Sequence, residues 1–166
     1  MSDERPMMLY KLEGSDTISY SWQEIYQQVN QLASAMRDMG ITKGDRVVNF
    51  MPNRPESIIA LLATASIGAI WSSCSPDFGA QSVLDRFTQI EPKLLFAVDG
   101  YEYGGKSFDR RDVLAELQSK LPTLAHTILV PHLNHNTDKL QDTSLWEDVL
   151  AKSNPPQKTP FESVPL

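Results

Sequence analysis

The chain has little cysteine and no long apolar run. Its 166 residues include a single cysteine, Cys74, which excludes an intrachain disulfide framework. No uninterrupted apolar segment has the length of a membrane span, and the first residues do not have the layout of a signal peptide. These absences predict a soluble protein in a reducing, cytoplasmic setting, with no membrane partner.

Positive charge is also scarce. Fifteen Lys and Arg residues stand against twenty-one Asp and Glu residues, so the formal net charge is −6. Nucleic acids and anionic membranes attract proteins of the opposite sign, so we expect neither as a partner. An anionic ligand must instead meet a local cluster of positive charge. A length of 166 residues with 41% hydrophobic content suits one α/β domain with a core.

Side chains in patterns typical of catalysis or metal binding are few. His132 and His135 have the spacing of a metal pair, but no cysteine or carboxylate pattern accompanies them, so no metal site is expected. Cys74 lacks a nearby base and is predicted to be a small packed residue. The pairs Asp45-Arg46 and Asp85-Arg86 are interpreted as structural charges at the ends of elements. We therefore predict no catalytic residue in this chain.

Strand and helix patterns alternate along most of the chain. A short hairpin is predicted from 7–12 and 17–20, and four apolar runs then predict strands at 46–51, 69–73, 94–98 and 126–130. Helical periodicity and capping residues predict helices at 22–39, 57–67, 80–90, 109–121 and 144–150. Such alternation predicts the α/β class, as a parallel-sheet subdomain with helices on both faces.

Three helix predictions carry further detail. Capping boxes are predicted for Ser21 with Glu24 and for Ser144 with Glu147, and Asn53 is predicted to cap the second helix. That helix is apolar on nearly every side, so we expect it to lie in the interior. If this helix packs against further structure in a longer protein, the chain alone exposes apolar surface there or on the neighbouring strands, and we expect it to self-associate.

Two polar stretches are predicted to lack regular structure. Residues 131–143 are expected to form a loop. Residues 151–166 contain four prolines and are predicted to be an extended linker outside the core. The predicted organisation is therefore a subdomain over residues 1–150, followed by a linker over 151–166.

The stretch from Gly68 to Lys106 contains the candidate binding site. It is predicted as strand, polar loop, helix, buried strand and a second loop, so both loops open at the same carboxyl edge of a parallel sheet. Gly104 and Gly105 permit positive φ and close approach of the backbone. Lys106, together with Arg110 and Arg111, supplies local positive charge in an acidic protein.

The same stretch resembles a known family. The loop 73–79 (SCSPDFG), the helix segment 82–93 (SVLDRFTQIEPK) and the loop 99–106 (DGYEYGGK) are similar to the amino-terminal region of acyl-CoA synthetases, in the adenylate-forming, AMP-binding superfamily. Within it, they resemble the acetoacetyl-CoA synthetases most, with acetyl- and propionyl-CoA synthetases as alternatives. The resemblance implies a partial amino-terminal region of the large domain of an adenylate-forming enzyme.

That resemblance implies a ligase which uses ATP, CoA and Mg²⁺ with a small carboxylate such as acetoacetate. The family positions phosphates with a Ser/Thr/Gly-rich loop ending in lysine, because backbone N–H groups and a fixed cation neutralise the transferring charge. This sequence has no such loop, and the run 104–106 is too short to be one. We therefore expect the chain alone to be inactive, and its proline-bearing tail to lead toward that absent loop.

The resemblance also implies a share of a CoA site. By resemblance, Trp71, Ser72 and Ser73 line the CoA nucleotide, and Lys106 matches a basic residue near its ribose phosphate. Gly104 and Gly105 complete the predicted set. Glu102 falls where relatives place an arginine, and a carboxylate there would repel a phosphate at close range.

Two other functions fit parts of the pattern. A non-catalytic module that binds CoA, a nucleotide or a partner protein would keep the ligand edge without the catalytic loop. A flavodoxin-like receiver domain fits the alternation of strands and helices, but it needs a cluster of carboxylates at the strand ends. Asp99 alone does not provide that cluster, and fold by itself cannot assign function.

Overall fold

The structure is a computed structural model that describes residues 5–12, 14–133, 137–156 and 158–164. In chain order its strands are β1 (Met8–Tyr10), β2 (Ile18–Tyr20), β3 (Arg46–Phe50), β4 (Ile70–Cys74), β5 (Leu94–Val98), β6 (Gly100–Tyr103), β7 (Lys106–Asp109), β8 (His126–Val130) and β9 (Thr143–Leu145). Its helices are α1 (Trp22–Asp38), α2 (Pro55–Ile67), α3 (Ala80–Ile90), α4 (Arg111–Lys120) and α5 (Trp146–Lys152). None of the described helices is long and apolar enough to cross a membrane.

A five-stranded parallel sheet forms the centre of the fold, in the order β4-β3-β5-β8-β9. Every residue of β5 is buried, as its continuous apolar sequence predicts. Successive side chains of a strand point to opposite faces, so β5 contributes to two cores. One core packs α1, α2 and α5 against the sheet, and the other packs α3 and α4. The predicted α/β class is confirmed.

The first helix is built as its sequence predicts. The Ser21 hydroxyl accepts a hydrogen bond from the Glu24 amide at 3.2 Å, and the Glu24 carboxylate accepts one from the Ser21 amide at 2.7 Å. This reciprocal capping box satisfies two backbone donors that a helix start otherwise leaves unpaired. The buried apolar residues recur at helical spacing, at Ile25, Val29, Leu32, Ala33 and Met36.

The second helix corrects two predictions. It begins at Pro55 and its N-cap is Arg54, without a side-chain cap, so the predicted cap at Asn53 is wrong. Proline suits the first helical position because its fixed φ is already helical and its missing N–H has no intrahelical partner there. The helix is also not wholly interior, because Ile58 and Leu62 are 40% and 37% exposed.

The segment before the last helix was also predicted wrongly. Residues 143–145 form strand β9, and Ser144 pairs with Ile128 in the register with β8. Leu145 is therefore the N-cap of α5, and it makes no side-chain cap hydrogen bond. The predicted capping box of Ser144 with Glu147 does not form because the helix starts at Trp146, which places Glu147 one position too early.

The second glycine-bearing loop is a β-hairpin. Strands β6 and β7 pair antiparallel, and Gly104-Gly105 connects them in a two-residue turn with φ of 58° and 70°. A turn with positive φ at both central residues matches the twist of the flanking strands, and glycine adopts it without steric cost. Because β7 extends through Asp109, helix α4 begins later than predicted, at Arg111.

The described part of the proline-bearing tail has no helix or strand after Lys152, and it packs against the domain. Thr159 is only 5% exposed. The Asn30 side chain on α1 donates to the carbonyl of Pro156 at 2.7 Å, and the Arg37 guanidinium donates to the carbonyl of Pro160 at 2.6 Å. The expectation of a linker separate from the packed structure is therefore wrong for these residues.

Candidate functional site

A cavity of about 470 Å³ lies at the carboxyl edge, the end of the parallel sheet at which the strands terminate. Five segments line it: residues 10–12 of the first hairpin, 52–54 after β3, 75–77 after β4, 101–103 of the second hairpin, and His132 after β8. Open α/β sheets bind ligands at this edge, because the loops after the strands converge there. The two loops of the predicted site thus do meet at one cavity.

The first three predicted site residues lie within β4, before the loop. Trp71 is half-buried, and its ring lies 6.2 Å from that of Phe96 at an interplanar angle of 41°. The Ser73 hydroxyl accepts a hydrogen bond from the buried side chain of Asn49 at 3.0 Å. Trp71, Ser72 and Ser73 are not among the residues that line the cavity.

The other three predicted residues form the tip of the second hairpin. A side chain added at Gly104 or Gly105 would meet no atom within 4 Å, so the tip faces open space. Lys106 pairs with Tyr103 in the strand register, whereas Glu102 pairs with Ser107. Paired residues share a face of the hairpin and successive residues alternate. Glu102 and Lys106 therefore lie on opposite faces of the hairpin.

The positive cluster expected near the hairpin is reduced to one lysine. Arg110 lies over the Tyr101 ring at 5.2 Å and donates to its hydroxyl at 3.0 Å. Arg111 forms an ion pair with Asp109 at 2.6 Å, and the hydrogen bond from its guanidinium lowers the pKa of that carboxyl group. Within the described part of the chain, Lys106 makes no ion pair and is exposed.

A second group at the cavity centres on Arg54, which the sequence analysis did not identify. Its guanidinium donates to both carboxylate oxygens of Glu56 at 3.1 Å and contacts Nδ1 of His132 at 2.9 Å. Burial works to lower the pKa of Arg54, but the Glu56 carboxylate outweighs burial and raises it. The identifying signal was available, because Arg54 lies in the short segment between β3 and α2, at the carboxyl end of β3.

Tyr10 lines the same cavity as Arg54, and the buried Asp99 binds the chain beside it. Burial raises the pKa of Tyr10, and its hydroxyl has no hydrogen-bond partner among the described residues. Asp99 is 1% exposed, and its carboxylate accepts the amides of His132 and Leu133 at 2.7 and 3.0 Å. These bonds fix the chain after β8, so Asp99 positions His132 against Arg54.

The remaining candidate residues are Cys74, the two histidines and the paired charges. Cys74 is buried within a core cluster, as predicted. His135 lies outside the described residues, and no group of three or more potential metal ligands occurs among the residues that are described.

At the opposite end of the sheet, the amino edge, Asp45 accepts hydrogen bonds from the Thr42 amide at 2.8 Å and from Lys93 at 3.0 Å. Asp45 and Arg46 act as structural charges, as predicted. Burial works to raise the pKa of Asp45, and the hydrogen bonds from Thr42 and Lys93 outweigh it, so the pKa is lowered. Arg46 donates to the carbonyls of Ile90 and Glu91 at 2.8 and 3.0 Å. These contacts join the start of β3 to the turn that precedes β5.

Comparisons with known proteins agree with this geometry. The family model described as AMP-binding enzyme matches residues 2–164. An acetoacetyl-CoA synthetase of Rattus norvegicus is 40% identical over 171 aligned positions, which cover 99% of this chain and 25% of the relative. An acetoacetyl-coenzyme A synthetase of Rhizobium meliloti (strain 1021) is 52% identical over 122 positions, covering 72% of this chain and 18% of the relative.

The fold agrees with a solved structure as well. The acetoacetyl-CoA synthetase from Streptomyces lividans superimposes with a TM-score of 0.90 and 46% sequence identity, over 97% of this chain and 24% of that one. The chain thus spans about a quarter of the length of the relatives it matches. Because the family model spans nearly every residue and the fold agrees, the chain belongs to the AMP-binding enzyme family.

Proposed function

We propose that this chain is the amino-terminal part of an acetoacetate:CoA ligase and supplies one wall of its CoA site. The supporting observation is that 97% of the chain matches an acetoacetyl-CoA synthetase structure at a TM-score of 0.90. In the proposed reaction, the acid carboxylate attacks ATP, forming an acyl-adenylate and releasing pyrophosphate. The CoA thiol then attacks the acyl carbon and displaces AMP, forming the thioester and releasing one proton.

The proposed CoA contacts are Trp71, Ser72, Ser73, Gly104, Gly105 and Lys106. At the hairpin tip the two glycines leave open space on the surface, and Lys106 offers an exposed ammonium group beside them. An exposed ammonium suits a phosphate as a point charge. Because Glu102 lies on the other face of the hairpin, it does not oppose this contact. The tip therefore fits a phosphorylated nucleotide.

The β4 residues fit the same ligand less directly. Trp71 gives part of its ring to the core beside Phe96, and Ser73 already accepts a hydrogen bond from Asn49. Both serines keep some exposed surface on an edge strand of the sheet. A nucleotide lying along β4 would meet their hydroxyl groups, which can donate while they accept.

The proposed ligase also needs ATP and Mg²⁺, which the described residues do not fit. No cluster of three or more potential metal ligands occurs in the described ranges. The sequence contains no Ser/Thr/Gly-rich loop ending in lysine. We therefore assign no step through the metal to this chain, and we expect the chain alone to release no AMP from ATP.

A chimeric enzyme tests the proposal. Residues 5–164 replace the matching quarter of the Streptomyces lividans synthetase, and AMP release is measured with ATP, acetoacetate and CoA. We expect turnover that requires both acetoacetate and CoA. A chimera that folds with the thermal stability of its parent and forms no AMP would contradict the proposal.

Two lysine substitutions in the chimera, one at the proposed CoA contact and one elsewhere, test whether this chain contacts CoA. We expect Lys106→Ala in the chimera to raise KM for CoA by about tenfold, the effect of losing one charged hydrogen bond. The control is Lys120→Ala, because Lys120 is an exposed α4 lysine paired with Glu116. It should leave KM for CoA unchanged. Equal effects from both substitutions would exclude Lys106 as a CoA contact.

The remaining proposals concern setting and association. The buried single cysteine is consistent with a reducing, cytoplasmic location. Exposed apolar side chains on α2 and β4, at Ile58, Leu62 and Ile70, support self-association of the isolated chain. Analytical ultracentrifugation between 5 and 500 µM tests this, because a monomer at every concentration would exclude it.

A further inference from the structure

We infer that the proline-bearing segment, residues 155–156 and 158–164, is a clasp: the outer face of α1, the loop after α1 and the end of α2 bind it in one docked position. The segment has no regular secondary structure in its described part. It is nevertheless bound by side chains and backbone groups from three places in the fold. This inference does not depend on the proposed ligase function.

Side chains along one stripe of α1 bind the backbone of the segment. Tyr26, Asn30 and Arg37 follow one another at spacings of four and seven residues, which places them on the same helix face. Asn30 donates to the Pro156 carbonyl and Arg37 to the Pro160 carbonyl, while the Tyr26 hydroxyl accepts the amide of Thr159 at 3.3 Å. These contacts recognise the path of the backbone.

One buried polar pair anchors the middle of the clasp. The Thr159 hydroxyl donates to the Asn30 side-chain oxygen at 2.9 Å, and the two residues are 5% and 7% exposed. Asn30 thereby uses both its amide nitrogen and its oxygen on the segment. Leaving either group unpaired in this buried position would cost more than the hydrogen bond contributes when it forms, so the pair favours one docked position.

The far end of the segment is bound by the end of α2 and by the loop between α1 and β3. The Glu162 amide donates to the carbonyl of Ser66 at 3.0 Å, and Lys43 donates to the carbonyl of Ser163. Gly68, which ends α2 with φ of 75°, allows this approach: a β-carbon there would lie 3.2 Å from Glu162 and 3.3 Å from Val164. Gly68 therefore allows α2 to end with positive φ and also leaves room for the clasp to pack against that end.

The prolines of the clasp reduce the conformational entropy that is lost when it docks. Pro155, Pro156 and Pro160 restrict the segment before it docks, so less conformational entropy is lost on binding. Prolines also lack amide hydrogens, which leaves carbonyl groups as the main sites for recognition. The donors on Asn30, Arg37 and Lys43 match those carbonyls.

Hydrogen exchange on the full chain tests the clasp. The amides of Thr159 and Glu162 should be protected, and Asn30→Ala should raise the exchange rate of both by about tenfold. Amides of β5 should keep their protection. The matched control is Gln28→Ala, because Gln28 lies on α1 and makes no hydrogen bond to the described segment. Unprotected amides at both positions in the unmodified chain would overturn the inference.

Two further variants decide the outcome if Asn30→Ala destabilises the whole chain. Thr159→Val removes only the anchoring hydroxyl and should raise exchange at Thr159 and Glu162 by about threefold. Gly68→Ala should raise exchange at Glu162 more than Gly44→Ala does. Gly44 has a similar φ of 83°, but an added β-carbon there meets nothing within 4 Å. Equal exchange at Glu162 in both glycine variants, with no change in Thr159→Val, would show that the segment is not clasped.

Discussion

The two edges of the parallel sheet use their polar residues differently. At the amino edge, Lys93 forms an ion pair with Asp45, and Asp45 and Arg46 bond to backbone groups. At the carboxyl edge a cavity of about 470 Å³ separates the loops, and the Tyr10 hydroxyl has no partner among the described residues. The comparison indicates that charge at the amino edge contributes to stability, whereas the carboxyl edge retains open polar surface for a ligand.

The largest expected difference between the edges is in stability. Asp45→Ala should lower the free energy of unfolding by about 2 kcal/mol, because it removes the acceptor of the Thr42 amide and the ion-pair partner of Lys93, which keeps only the Gly40 carbonyl. Asp77→Ala, at an exposed cavity residue, should change it by less than about 0.5 kcal/mol. Urea unfolding of both variants measures this difference. Equal losses would show that the edges do not differ in this way.

The pH dependence of stability should follow the same carboxylate. The pKa of Asp45 in the fold is below its ordinary value of 3.8. Its contribution is therefore complete above the unfolded pKa and is lost as pH falls through the lower folded value. We expect the stability difference between the unmodified chain and Asp45→Asn to shrink below about pH 3.8. A difference that stays constant from pH 6 to pH 2.5 would contradict this assignment.

A smaller effect is expected at the hairpin tip, where turn geometry and ligand binding can be separated. Gly105→Ala should cost about 1 kcal/mol, because φ is 70° there. Gly104→Asn should cost less than about 0.5 kcal/mol, since asparagine tolerates positive φ in such turns. If open space at the tip serves CoA, Gly104→Asn will still raise KM for CoA in the chimera. An unchanged KM would leave the glycines with a turn role alone.

The sequence predicted the central sheet because burial there leaves a direct pattern. The run 94–98 is continuously apolar, and all five residues are buried between two layers of helices. The capping box of Ser21 and Glu24 was equally readable, since both partners are local. Where a pattern depends on residues close together in the chain, or on burial along a whole element, the prediction was correct.

Other features depend on distant contacts that leave no local pattern. Strand β9 has only three residues, and it is a strand because Ser144 pairs with Ile128. The tail reads as a linker by composition, but side chains more than 120 residues earlier hold it in place. The hairpin at Gly104-Gly105 does leave a local pattern, because two glycines between short strands are typical of a two-residue hairpin turn. It was predicted only as a loop.

The sequence predicted which edge of the sheet carries the candidate site, but not which residues line the cavity. Both loops reach the same cavity, but the residues that line it are 75–77 and 101–103. A one-residue shift along a strand changes which face a side chain occupies, so position along β4 could not be read without the register. The place of Arg54 after β3 was a readable signal, but its contact with His132, which lies 78 residues away, was not.

An NMR titration of the chain with CoA tests directly whether the carboxyl edge of the sheet binds CoA. We predict that millimolar CoA shifts backbone amide signals at the carboxyl edge, in β4, residues 75–77 and the tip at Gly104–Lys106. Signals of Asp45 and Lys93 at the amino edge should remain unchanged. Shifts confined to the amino edge, or no shifts at all with millimolar CoA, would contradict the claim that the carboxyl edge of this sheet is a CoA-binding wall.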